Sequence, residues 1–293
     1  LTLLFLSPAI GELVSGSSPP LEFFNPLSLL SLMALYGCGA LLIRDAAIRW
    51  DKGWATILAL GLAYGVYEEG IVVKSWFDPG WMDLGVLGLY GRVGGVNWVW
   101  AVWLTTYHAV ISIALPIFLT NLLFPDFKGK RLLTDRATRY ALVSFGFIFV
   151  PVALLAIPYW GGPEHLVAVI SAVGFLLIAR DLPKDLLRPR ATLRPRRAWP
   201  FAAFGFLWIF SIVLIYTAIG PALLPFGAAI GLGLLVTAGA LLALERWLPA
   251  RGGERFLFAF LGVCRRTTLT SLKRDYFASY VCAPPHAQNL PAV

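Results

Sequence analysis

Two adjacent glutamates, Glu68 and Glu69, stand inside the apolar stretch AYGVYEEGIVVK at residues 63–74, and a histidine, His108, stands inside a second, WLTTYHAVISIAL at 103–115. Carboxylates and an imidazole that meet away from bulk water can activate a water molecule, one group acting as base and another steadying an oxyanion. Thr105, His108 and Ser112 recur at helical spacing as one polar stripe, and Tyr64 precedes Glu68 by one turn. Glu12, at the end of another apolar run, and Asn97, at the head of the run holding His108, complete the candidate lining. A charge at mid-membrane costs about 2.5–3.5 kcal/mol on insertion scales, so such groups need a neutral form, a partner or a wet cavity. Consecutive helical positions diverge by about 100°, so a single helix face is not expected to shelter both glutamates. Glu69 is instead within reach of headgroup water or Lys74. The expectation is a polar pocket opening outward, capped by SWFDPGWMDLGVLGLYGRVGG at 75–95. Glu164 and His165 read as interfacial residues, and Asn121 as a packing or cap residue.

Positioning these side chains falls to helices. The chain has 293 residues, 58% hydrophobic and only 14% charged, with a mean hydropathy of +0.75. A soluble domain averages about a quarter charged residues. The expected fold is therefore an all-α polytopic transmembrane bundle of about eight spans, each needing about 20 residues to cross the hydrocarbon. The apolar runs lie at 1–14, 27–43, 54–73, 97–124, 138–158, 165–179, 200–219 and 222–245, separated by Pro and Gly. Because the chain starts at Leu1 within an apolar run, the first span is expected to lack its beginning. Four regions follow: a six-span part over 1–180, a Pro- and Arg-rich loop over 181–199, a two-span hairpin over 200–246, and a poorly ordered tail over 247–293. GxxxG spacings at Gly61–Gly65 and Gly227–Gly231 predict close helix approach.

The net charge of +8 sits in the short loops after alternate spans, the cytoplasmic bias of a plasma-membrane protein of prokaryotic type. Both termini and the basic loops are then cytoplasmic. That placement argues against nucleic acid as a partner and leaves membrane lipids and an unidentified substrate. Cys38, Cys264 and Cys282 show neither metal spacing nor a paired framework. Glu68, Glu69 and His108 could together hold a metal, but no HExxH or paired-His spacing supports one, so no metal and no cofactor are expected.

The Glu-Glu pair on one span followed by a His on the next resembles the CPBP group of intramembrane proteases (CAAX processing and bacteriocin-immunity type). The resemblance covers the third and fourth runs. It implies that Glu68 and Glu69 match the family's Glu-Glu-x-x-x-Arg motif, the general base, and that His108 matches the histidine of Phe-x-x-x-His, a second catalytic residue. It thereby implies a metal-independent peptidase. Val73 occupies the arginine position, with Lys74 one residue later, and Leu104 occupies the aromatic position. The third motif, a His four residues before an Asn, is absent, since Asn121 is preceded by Ile117.

Two other classes use the same residues. A proton-coupled or small-solute transporter would employ them as a relay with access from both faces. A non-catalytic membrane protein would bind a lipid or partner, marked by an apolar slot beside the polar site that NWVWAVW at 97–103 supplies.

Overall fold

Apolar runs rich in Leu, Ala and Val become helices throughout the computed structural model, which describes residues 1–147, 159, 162–188, 197–249 and 253–260. They are α1 (Thr2–Val14), α2 (Pro26–Arg49), α3 (Trp54–Val72), α4 (Trp98–Leu123), α5 (Asp135–Phe147), α6 (His165–Asp181), α7 (Trp199–Leu223), α8 (Phe226–Trp247) and α9 (Glu254–Phe260). The strands form one two-residue ribbon, β1 (Arg92–Val93) against β2 (Val96–Asn97), in the α3–α4 connection. The all-α bundle is thus observed. Among the described residues five helices (α2, α3, α4, α7 and α8) are long and apolar enough to cross a membrane, and α1 is a shorter apolar helix. The expected span over 138–158 begins as α5 and then passes outside the described residues.

Local chemistry sets the helix starts. Asn25 caps α2 by accepting from Leu27 N and Ser28 N, with Pro26 at the first helical position. Asn97 caps α4 by accepting from Trp100 N at 3.1 Å and donates to Leu87 O at 2.7 Å. Fully buried, it fixes a helix start and the loop packed on it rather than lining the polar site.

The centre of the bundle is α3, which runs antiparallel to α4 and α6. Thr56 near its start donates to Ala179 O near the end of α6, at 3.1 Å. Gly61 and Gly65 face α4 so closely that an added Cβ would lie 2.8 Å from Ala109 Cα and 2.9 Å from Thr105 Cα. The close approach read from this spacing is present. Gly227 and Gly231 have nothing within 4 Å, so the second GxxxG makes no such contact. Large apolar side chains on the outside of α6, α7 and α8, such as Ile170, Phe206 and Leu235, remain 68–72% exposed, as expected of lipid-facing surfaces.

At one end of the bundle the basic connections gather: Lys52 donates to Leu182 O at 2.8 Å, and Arg131 meets both Asp45 and Asp135. Hydrogen bonds from Arg131 hold the exposed Asp135 carboxyl below its usual range. Arg44 and Asp45, just past the apolar run over 27–43, are buried within α2. Arg44 donates to Phe127 O at 2.7 Å, Lys130 O at 2.9 Å and Asn121 Oδ1 at 3.2 Å. It thereby clamps the connection after α4 and gives Asn121 its packing role. Arg44→Ala strips a charged donor from these acceptors and is expected to cost roughly 1.5–3 kcal/mol. Trypsin cleavage around Lys128–Arg131 should accelerate accordingly, and an unchanged rate would contradict the clamp.

Inside the segment expected to be a poorly ordered tail, α9 packs on α7: the rings of Phe201 and Phe256 lie 5.0 Å apart, and those of Phe204 and Phe260 5.4 Å apart. These aromatics cover an apolar face of α7. Residues 261–293, including Cys264 and Cys282, lie outside the described residues.

Candidate functional site

Among the described residues five helices widen into π-turns; one, Ile215–Ile219 in α7, stands apart, and the other four carry polar residues of one cluster. Ala9–Val14 holds Glu12, Met33–Gly37 holds Tyr36, Tyr67–Val72 holds Glu68 and Glu69, and His108–Ala114 holds His108 and Ser112. A π-turn takes an extra residue per turn, which closes the angle between consecutive side chains and re-aims them. This overturns the expectation that one face cannot shelter both glutamates. His108 Nε2 lies 2.9 Å from Glu68 Oε2 and 2.9 Å from Glu69 Oε1. A single N–H cannot point at both acceptors. Hydrogen-bond geometry is met toward Glu69, while Glu68 Oε2 keeps the ionic contact but has no hydrogen-bond partner.

The remaining atoms of the three side chains are each held by a hydroxyl. Tyr36 donates to Glu68 Oε1 at 3.1 Å, Ser75 donates to Glu69 Oε2, and Ser112 Oγ lies 3.0 Å from His108 Nδ1. The Tyr36 hydroxyl, which has one proton, shares its hydrogen bonding between Glu68 Oε1 and Glu12 Oε1, and Glu12 Oε2 accepts from Ser18 at 2.8 Å. Ser75 in turn accepts from Trp100 Nε1 at 3.0 Å. Ser7 fixes the crossing of α1 by sharing its hydroxyl proton between Ser112 O at 2.7 Å and Tyr36 O at 3.1 Å.

The cluster is closed. Glu68, Glu69 and His108 are only 3–6% exposed, and the His108 ring sits among those of Tyr36, Tyr64 and Tyr107 at 5.4–6.1 Å. Tyr64 and Thr105, one turn from Glu68 and His108, are buried with hydroxyls that have no partner. The connection over 73–97 covers this end. Lys74 turns the chain out of α3 with φ 65°, and Trp76, Phe77, Leu87 and Val96 pack beneath it. Glu164 and His165 stand apart from the cluster in local contacts with Gly162, and the His165 ring stacks near Phe77 at 4.2 Å.

Of the residues singled out in the sequence, Glu12, Tyr64, Glu68, Glu69, Thr105, His108 and Ser112 share one locality, and Asn97 does not. Tyr36, Ser75, Ser7, Ser18 and Trp100 were missed. A tyrosine in LMALYGCGA has no polar neighbour one turn away on its own helix, so spacing gives it no signal.

An apolar crevice of about 230 Å³ between α4 and the α7–α8 hairpin is lined by Trp103, Thr106, Tyr107, Ile212 and Tyr216. Of the tryptophans in NWVWAVW only Trp103 lines it.

Compared with known families, residues 1–287 match the model of an uncharacterized membrane protein family, and the chain belongs to it. The matched family is not the CPBP family. No curated protein matches the chain, and no solved structure does.

Proposed function

For this member of an uncharacterized membrane protein family, we propose an intramembrane hydrolase of the peptidase type that works through Glu68, Glu69 and His108. The observation that carries the reading is the single imidazole nitrogen held 2.9 Å from both carboxylates. In the proposed reaction a carboxylate takes a proton from water and the oxygen attacks the scissile carbonyl. His108 steadies the oxyanion, the C–N bond breaks, and the carboxyl returns its proton to the leaving nitrogen. The unpartnered hydroxyls of Tyr64 and Thr105 offer hydrogen bonds to water or the substrate backbone. The pocket is proposed to open toward the outer face beneath residues 73–97, and the crevice beside Tyr107 supplies a route from the lipid. This use matches that implied by the CPBP resemblance.

Purified protein in liposomes, given a quenched-fluorescent peptide library, tests the reading. Cleavage is expected for the wild type and should fall about 10²- to 10⁴-fold in Glu68→Gln and in His108→Gln, the range for loss of a general acid or base. Full cleavage by both variants would overturn it.

One observation favours a second reading. The contacts Ser18–Glu12–Tyr36–Glu68–His108–Glu69–Ser75 form an unbroken polar chain, the form a proton relay in a transporter would take. Proton-driven uptake that survives Glu68→Gln would count against it.

A further inference from the structure

We propose that Glu68, Glu69 and His108 bind one divalent transition-metal ion through Glu68 Oε2, Glu69 Oε1 and His108 Nε2. As a statement about binding, this goes beyond the hydrolytic reading and does not depend on it. One ligand atom from each of the three residues lies within 4.8 Å of those of the other two, and all three residues are buried. Metal–nitrogen and metal–oxygen bonds run about 2.0–2.2 Å, so an ion bonded to two atoms 2.9 Å apart sees them at about 90°, the angle between neighbouring ligands of an octahedron. One imidazole and two carboxylates on adjoining octahedral positions leave others open for water or substrate. This mixed nitrogen and oxygen set suits Zn, Mn, Fe or Co better than Mg or Ca, which prefer oxygen alone.

Two further features point to an ion. Each ligand is oriented through its other polar atom by a hydroxyl: Tyr36 for Glu68, Ser75 for Glu69 and Ser112 for His108. Supporting hydrogen bonds of this kind fix ligand direction in metal centres. Glu68 Oε2 is also buried without a hydrogen-bond partner, although unmet buried acceptors are costly. The ion would supply the missing partner and offset two carboxylates held away from water. On binding it displaces the proton from His108 Nε2 to solvent. No HExxH or paired-His spacing in the sequence supports a metal on these residues, whereas here the π-turn makes consecutive glutamates serve as neighbouring ligands.

The test uses chelator-stripped, full-length protein in detergent micelles, titrated with Co²⁺ and followed by its visible absorption, then with Zn²⁺ as competitor. Saturation at one equivalent and displacement by Zn²⁺ are expected. His108→Gln and Glu69→Gln should bind at least 100-fold more weakly. Tyr36→Phe, which keeps all three ligands, should lose about 10- to 100-fold, the range for supporting partners. Circular dichroism identifies the folded variants, and should His108→Gln not fold, Glu68→Gln and Tyr36→Phe carry the comparison. Failure of the folded wild type to bind either ion, or equal binding by the wild type and His108→Gln, would overturn the proposal. Peptide cleavage by fully stripped protein would leave the acid–base hydrolase standing while the binding titration alone decides the metal.

Discussion

His108→Ala is expected to cost the bundle roughly 3–5 kcal/mol, the range for removing one partner of a buried ion pair. Ordinary polar contacts between membrane helices average about 0.6 kcal/mol, so this would be an outlier, and the arrangement explains why. The imidazole is the group in direct contact with both Glu68 and Glu69, and both carboxylates are at most 6% exposed. Alanine removes their common partner and leaves a void where neighbouring carboxylates face each other. The loss should come mainly from what is left behind. Replacing all three residues by leucine should therefore return stability close to that of the wild type, as apolar replacement of buried ion pairs often does. Unfolding in mixed detergent micelles, followed by helical circular dichroism, reads both variants. A loss under about 1 kcal/mol for His108→Ala would mean that the two carboxylates do not depend on the imidazole.

Gly65→Leu is expected to be damaging for a steric reason. A Cβ at residue 65 would sit 2.9 Å from Thr105 Cα and from Thr105 O, and 3.1 Å from His108 Cβ. Two of these are backbone atoms, so no side-chain rotation relieves the clash and α3 must back away from α4. Overpacking of this kind costs about 1–3 kcal/mol. It also separates the glutamates from His108, so activity and ion binding should fall with stability. Gly227→Leu is the internal control, since nothing lies within 4 Å of that position, and it should be nearly silent. Equal unfolding of the two variants would contradict the close α3–α4 contact as the device that assembles the site.

The membrane class was legible because a chain only 14% charged cannot cover its helices with polar side chains. The pairing of Glu68 and Glu69 with His108 was legible because charged groups in apolar runs are costly enough to need partners. Their shared contact with one nitrogen was not, since spacing arguments assume 3.6 residues per turn and π-turns depart from that period. Tyr36 and Ser75 escaped for another reason. One looks like an interfacial aromatic and the other like a loop serine until tertiary packing brings them to the carboxylates. Gly227–Gly231 shows the converse, a spacing that permits close approach yet has nothing within 4 Å of it among the described residues. Asn97 was assigned to the pocket by position, yet its side chain is consumed by the helix cap and Leu87 O.

A double-mutant cycle with Glu69→Gln and His108→Gln, read by unfolding in lipid bicelles, tests most directly whether these side chains act as one unit. The account predicts a coupling energy of about 1–3 kcal/mol, as for residues in direct contact. Additivity of the two losses within about 0.5 kcal/mol would contradict it.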